Sequence, residues 1–180
     1  CSHDEAAAAF AAGARAVTHL FNAMSQLGNR EPGLAGAAMT QKVQCGLIAD
    51  GLHVHPAAMR IALAASDRIY LVSDAMAPAG SAITEFTLGG RRILRRDGRL
   101  TLADGTLAGA DLTLPQAIAN LVRLCGVAPE TAFAMATARP AALLDRDDLG
   151  HLRPGARADF VHLGPDLSLR GVWRGGERLV

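Results

Sequence analysis

Three short apolar runs in the first half of the chain each end at a residue able to do chemistry, and few folds accommodate that pattern. Residues 14–20 end on His19-Leu20, residues 43–48 lead into Ala49-Asp50-Gly51, and residues 69–72 lead into Ser73-Asp74. Runs of four to seven residues suit strands. The segment between the second and third runs, residues 56–65, opens with Pro56 and has apolar positions at helical spacing. Strands alternating with helices predict βα units around a parallel sheet buried on both faces. In an α/β barrel the carboxyl ends of such strands carry the active site. That places His19, the Asp50/His53 pair and Asp74 together as candidates.

The flanking segments follow the same reading. Residues 4–12 predict a helix, with Asp4 and Glu5 in its first turn and Gly13 as its stop. Residues 86–102 alternate apolar and basic side chains around Gly89-Gly90 and Asp97-Gly98, which predicts antiparallel hairpin structure. Residues 114–124 and 129–144 predict helices, and 158–163 and 169–173 short strands. A boundary near Leu149 divides the chain into 1–149 and 150–180.

Composition narrows the function classes. Lys and Arg total 18 against 17 Asp and Glu, and such a balance, with no basic block, argues against nucleic acid or an anionic membrane as the main partner. No apolar run reaches the ~18 residues of a spanning helix. The three cysteines, Cys1, Cys45 and Cys125, form neither a disulfide framework nor a CxxC zinc site, so a reducing, cytoplasmic compartment is expected.

His53-Val54-His55 has the spacing of a two-histidine metal site on a strand. His55 precedes Pro56, however, so a turn is expected there and the alternation of a strand is lost. Gly28-Asn29-Arg30-Glu31-Pro32-Gly33 reads as a turn whose backbone N–H groups and Arg30 could hold a phosphate. Leu107-Ala108-Gly109 offers backbone groups in the same way.

Several blocks carry a family resemblance. Thr18-His19-Leu20-Phe21-Asn22-Ala23-Met24, Arg30-Glu31-Pro32-Gly33-Leu34-Ala35-Gly36, Ile48-Ala49-Asp50-Gly51-Leu52-His53 and Val72-Ser73-Asp74-Ala75-Met76-Ala77-Pro78-Ala79-Gly80 resemble the N-acetylglucosamine-6-phosphate deacetylases of the amidohydrolase superfamily. Leu107-Ala108-Gly109-Ala110-Asp111 and the stretch from Gly150 to Asp159 continue the match in order. The resemblance spans this chain but only the C-terminal half of the family's proteins. It implies an α/β fold: the last three strands of a metal-dependent-hydrolase (β/α)8 TIM-like barrel with their helices and an inserted hairpin (1–149), then part of a small β-sandwich (150–180).

The resemblance also implies roles. His19 corresponds to a ligand of a divalent metal, zinc in the first instance, with iron or another divalent ion as alternatives. Asp74 corresponds to the general base and acid. Asn22 and Ala23 correspond to contacts near the substrate phosphate, and Arg30 to an arginine reaching that phosphate across a homodimer interface. Asp50, Gly51, Leu52 and His53 line the substrate site, and Leu107, Ala108 and Gly109 form a backbone-contacting loop. A glutamate and an earlier histidine of the family's metal site fall before Cys1, so His3 is not their equivalent. The implied reaction converts N-acetylglucosamine 6-phosphate to glucosamine 6-phosphate and acetate. Another amidohydrolase, of dihydroorotase or dipeptidase type, and an inactive truncated chain are the alternatives; the Asn22 and Arg30 blocks favour a phosphorylated substrate.

Overall fold

A computed structural model describes all 180 residues. Three strands, β1 (Ala16–Val17), β2 (Gln44–Leu47) and β3 (Ile69–Leu71), form a parallel sheet in chain order. Ala16 stands opposite Gln44, and Cys45 opposite Ile69. Helix α1 (His3–Ala11) precedes β1, α2 (Gly33–Thr40) joins β1 to β2, and α3 (Pro56–Ala65) joins β2 to β3. The expected alternation is present, and α3 has the expected bounds. Proline at its first position and the His55 side chain, whose Nδ1 accepts the Ala57 N–H at 3.1 Å, set its start.

Beyond β3 the chain builds a four-stranded antiparallel sheet from β4 (Glu85–Leu88), β5 (Arg91–Arg96), β6 (Arg99–Thr101) and β7 (Leu107–Ala110). Helices α4 (Leu114–Cys125), α5 (Pro129–Ala136) and α6 (Ala138–Leu143) follow. A second antiparallel sheet, β8 (Phe160–Leu163), β9 (Leu169–Arg174) and β10 (Glu177–Arg178), closes the chain. No helix is long and apolar enough to cross a membrane.

One core joins these parts. Val17, Cys45, Leu47, Ile69 and Leu71 of the parallel strands are buried against Ala35 and Ala38 of α2, Met59 of α3, Ile118 and Leu121 of α4 and Met135 of α5. Burying a side chain such as Leu47 or Ile69 contributes about 1.5–3 kcal/mol. This layer fixes the strand ends from which the candidate side chains emerge.

Three expectations need correction. Residues 129–144 are two helices, broken at Thr137 (φ −131°, ψ −80°), because Pro140 has no N–H for the Ala136 carbonyl and its ring crowds that position. The glycine-rich turn after Gly28 passes into α2 at Gly33, so part of it is helical. Leu107-Ala108-Gly109 belongs to a strand, β7, rather than a loop. It retains irregularity: the register against β6 shifts between Arg99 and Thr101, and Gly109 sits at φ +111°.

Candidate active site

The carboxyl ends of β1, β2 and β3 lie side by side, and hydrogen bonds continue past the strands. The Leu20 N–H donates to Gly46 at 2.7 Å and the Val72 N–H to Leu47 at 3.1 Å. Polar residues one to three positions beyond each strand therefore emerge on one edge of the sheet, as the sequence pattern predicted. They do so from strained backbone. His19 (φ +34°), Phe21 (+73°), Ala23 (+49°) and Asp74 (+48°) all occupy the left-handed region, which non-glycine residues adopt at a cost of about 1–3 kcal/mol and which concentrates at functional sites.

The turn carrying His19 is closed by its own side chains. His19 Nδ1 lies 2.9 Å from the Asn22 carbonyl oxygen; a carbonyl only accepts, so Nδ1 carries the proton. The lone pair is then on Nε2, the form in which an imidazole binds a metal, with its orientation set by the second nitrogen. Gln26 Nε2 donates to the carbonyls of Phe21 at 2.7 Å and Met24 at 2.9 Å, which fixes Asn22 and Ala23 between them. Arg30 is exposed on the loop ahead of α2.

After β2, Asp50 and His53 form a buried pair. Asp50 Oδ1 accepts the N–H groups of Leu52 and His53, both at 2.8 Å, and Oδ2 accepts His53 Nδ1–H at 2.5 Å. The hydrogen bond to Asp50 raises the His53 pKa above its usual 6.5 against an opposing effect of burial, and the charges of Asp50 and Asp74 add to the rise. Burial pushes the Asp50 carboxyl upward, but the hydrogen bonds from His53 and the backbone outweigh it and the net shift is down from 3.8. His53 thus faces the field of Asp74, while His55, two residues on, caps α3. The two histidines do different jobs, as the proline after His55 implied.

Asp74 is exposed at the end of β3. Its carbonyl accepts the Ala110 N–H at 2.9 Å, and Ala75 bridges Ala110, so β7 lies beside the Asp74 turn with Leu107, Ala108 and Gly109. Gly109 stands at φ +111°, a conformation that side-chain-bearing residues rarely adopt, and a Cβ there would also lie 2.6 Å from Met76 Sδ, so the position suits glycine. The sequence reading missed Asn120, whose Nδ2 donates to the Ala49 carbonyl at 2.9 Å and ties α4 to the residue before Asp50. A lone amide on the apolar face of a helix was the available signal.

No three His, Cys, Asp or Glu side chains are clustered so as to hold a metal ion. His19 has the form of one ligand, and this chain by itself supplies no complete set.

A three-stranded parallel sheet with polar candidates gathered at its carboxyl ends has the form of part of an α/β-barrel hydrolase, and relatives narrow the class. The amidohydrolase family pattern matches residues 2–179. An N-acetylgalactosamine-6-phosphate deacetylase of Escherichia coli O157:H7 is 43% identical over 173 residues, 94% of this chain and 46% of the relative. A putative N-acetylgalactosamine-6-phosphate deacetylase of Escherichia coli strain K12 is 43% identical over 162 residues, 88% of this chain and 97% of the relative. The crystal structure of N-acetylglucosamine-6-phosphate deacetylase from Pasteurella multocida superposes with a TM-score of 0.95 at 31% identity, covering 99% of this chain and 48% of that one. The chain belongs to the amidohydrolase family. It spans about half the length of the O157:H7 relative and of the Pasteurella structure, and nearly all of the K12 relative.

Proposed function

We propose that this chain supplies the carboxyl-terminal half of a metal-dependent deacetylase acting on N-acetylglucosamine 6-phosphate. The observation that carries the reading is the juxtaposition of His19, His53 and Asp74 on adjoining strand ends, with His19 Nε2 and the Asp74 carboxylate both unengaged by the hydrogen bonds that fix their turns. Residues 1–149 serve as the barrel part and 150–180 as the sandwich part.

His19 holds a divalent ion, zinc in the first instance, with further ligands from outside this chain. When bound, such an ion lowers the pKa of its water to about 7. Asp74 accepts the proton of the attacking water and passes it to the departing nitrogen. The oxygen bonds to the acetyl carbon, the amide C–N bond breaks, and acetate and the amino sugar phosphate leave. General acid–base work of this kind is worth about 10²–10⁴ in rate. His53, oriented by Asp50 and flanked by Gly51 and Leu52, donates to the sugar or acetyl oxygen. Asn22 and Ala23 bind near the phosphate, and Arg30 reaches it from the partner in a homodimer. Leu107, Ala108 and Gly109 contact the sugar through backbone groups. Free thiols at Cys1, Cys45 and Cys125 support a reducing, cytoplasmic setting.

The galactosamine epimer is the second reading, favoured by the higher identity to relatives bearing that name. Acetate release by the whole protein from the 6-phosphates of both N-acetylhexosamines, with and without a chelator, decides the matter. Metal-dependent release from either supports the deacetylase reading and the preferred epimer selects between the two. No release from either overturns it.

A further inference from the structure

Apart from the backbone of Leu107, Ala108 and Gly109 in β7, the antiparallel sheet β4–β7 takes no part in the chemistry above, yet it is fastened to the Asp74 loop at both ends. At the start, β7 gives the Ala110 N–H to the Asp74 carbonyl at 2.9 Å. At the far end, Arg95 of β5 donates through Nη1 to the carbonyls of Ser81 at 2.5 Å and Pro78 at 3.3 Å. The same guanidinium donates from Nε to Asp111 Oδ2 at 2.8 Å, and Asp111 follows Ala110 directly in the chain. The side chains of Arg95 and Asp111 are 26% and 19% exposed, so the pair is largely shielded from solvent. Pro78 is fully buried beneath it. A cavity of about 220 Å³, lined in part by Ala75, Ala79, Arg95 and Asp111, separates the loop from the sheet.

These contacts close a ring: Asp74 to Ala110, through the chain to Asp111, across to Arg95, and back to Pro78 and Ser81. Asp74 sits at φ +48° inside that ring, a conformation that persists only where the surroundings over-determine it. The planar guanidinium fork serves a carboxylate and two carbonyls at once, which the single ammonium of a lysine cannot reproduce. We propose that Arg95, oriented by Asp111, is a positioning residue for Asp74: it holds the far end of the 75–81 loop so that the Asp74 carboxylate is presented in one place. This rests on Asp74 being the proton carrier.

The test compares Arg95→Met, Arg95→Lys, Asp111→Asn and Asp74→Asn in the whole protein. A displacement of about 1 Å at a catalytic group costs on the order of 100-fold. Arg95→Met is therefore expected to lower kcat by about 30–100-fold with KM changed less than about threefold, and Arg95→Lys to recover part of the loss. Amide exchange in the peptide covering residues 74–81 is expected to accelerate by about tenfold while peptides of β1–β3 keep wild-type rates. If Arg95→Met fails to fold, Asp111→Asn, which keeps the guanidinium and its carbonyl bonds, carries the same test with a smaller loss. Unchanged exchange at 74–81, or a loss that falls on KM with kcat intact, overturns the proposal. An inactive Asp74→Asn beside a fully active Arg95→Met overturns the positioning role alone. A fully active Asp74→Asn overturns the proton-carrier reading, and the positioning role with it.

Discussion

His53 Nδ1 lies 2.5 Å from Asp50 Oδ2, and the two side chains are only 8% and 7% exposed. A buried charged pair of this kind is costly to break from one side, about 3–5 kcal/mol, because the survivor is left uncompensated. Asp50→Asn also removes the carboxylate that favours the protonated imidazole, so His53 loses more readily the proton with which Nε2 donates to a ligand.

The pair gives stability a pH signature. His53 has its folded pKa raised above 6.5, so its contribution is fully present below about 6.5 and is lost as pH rises through the folded value. Asp50 has its folded pKa lowered below 3.8, so its contribution is present above about 3.8 and lost as pH falls through the folded value. The stability gap between wild type and Asp50→Asn is thus expected to be widest between about pH 4 and 6.5 and to narrow on both sides. Denaturant melts across that range measure it, and a gap independent of pH would falsify the assignment.

Asp74→Asn in the whole protein is expected to lower kcat by at least about 100-fold, the minimum for a lost general base, with KM nearly unchanged. An amide cannot accept the proton of water. Retention of more than about a tenth of wild-type kcat would remove Asp74 from the catalytic role.

Arg30→Ala is expected to erase discrimination between the 6-phosphorylated and the unphosphorylated sugar, because a charge-assisted pair to phosphate disappears. The ratio of kcat/KM for the two substrates is the measurement. An unchanged ratio means that the phosphate is held elsewhere. Arg30 is exposed on its own chain, which suits a side chain that acts on a neighbouring site.

Local patterns carried the parallel sheet and its polar strand ends, since apolar runs that stop at His19, Asp50 and Asp74 report burial and exit directly. They did not carry α2. Gly33, Ala35, Gly36, Ala37 and Ala38 are all buried, so that helix is apolar on every side and shows no amphipathic period. Gly33 also opens it at φ +61°, where a side chain would meet the Ser25 and Gln26 carbonyls at 2.8 Å. Equally hidden were contacts that join distant segments: Ala110 on Asp74, Asn120 on Ala49, Arg95 on Ser81. A turn signal such as Gly109 marks an irregular backbone, but which element lies against it is decided by tertiary packing.

The 180 residues expressed alone are expected to release no acetate and to be poorly soluble. In the parallel sheet, β1 pairs only with β2, and β3 has β2 on one side and, past its end, the single Ala75–Ala110 bridge on the other. A barrel removes such edges by closing on itself, and an open parallel edge invites association with other chains. Only 34 of the 180 residues are buried, a small core to offset the entropy of ordering the rest. Function meets a separate obstacle, because a catalytic zinc takes about three protein ligands, and beside His19 this chain brings together no set of His, Cys, Asp or Glu side chains able to hold one. Asp74, engaged as proton carrier, is a poor substitute for the others. The two claims are checked separately. A sharp cooperative melt of the isolated chain would overturn the expectation for folding. Metal-dependent acetate release by that chain would overturn the expectation for function, and would mean that His3 or His53 completes the ligand set.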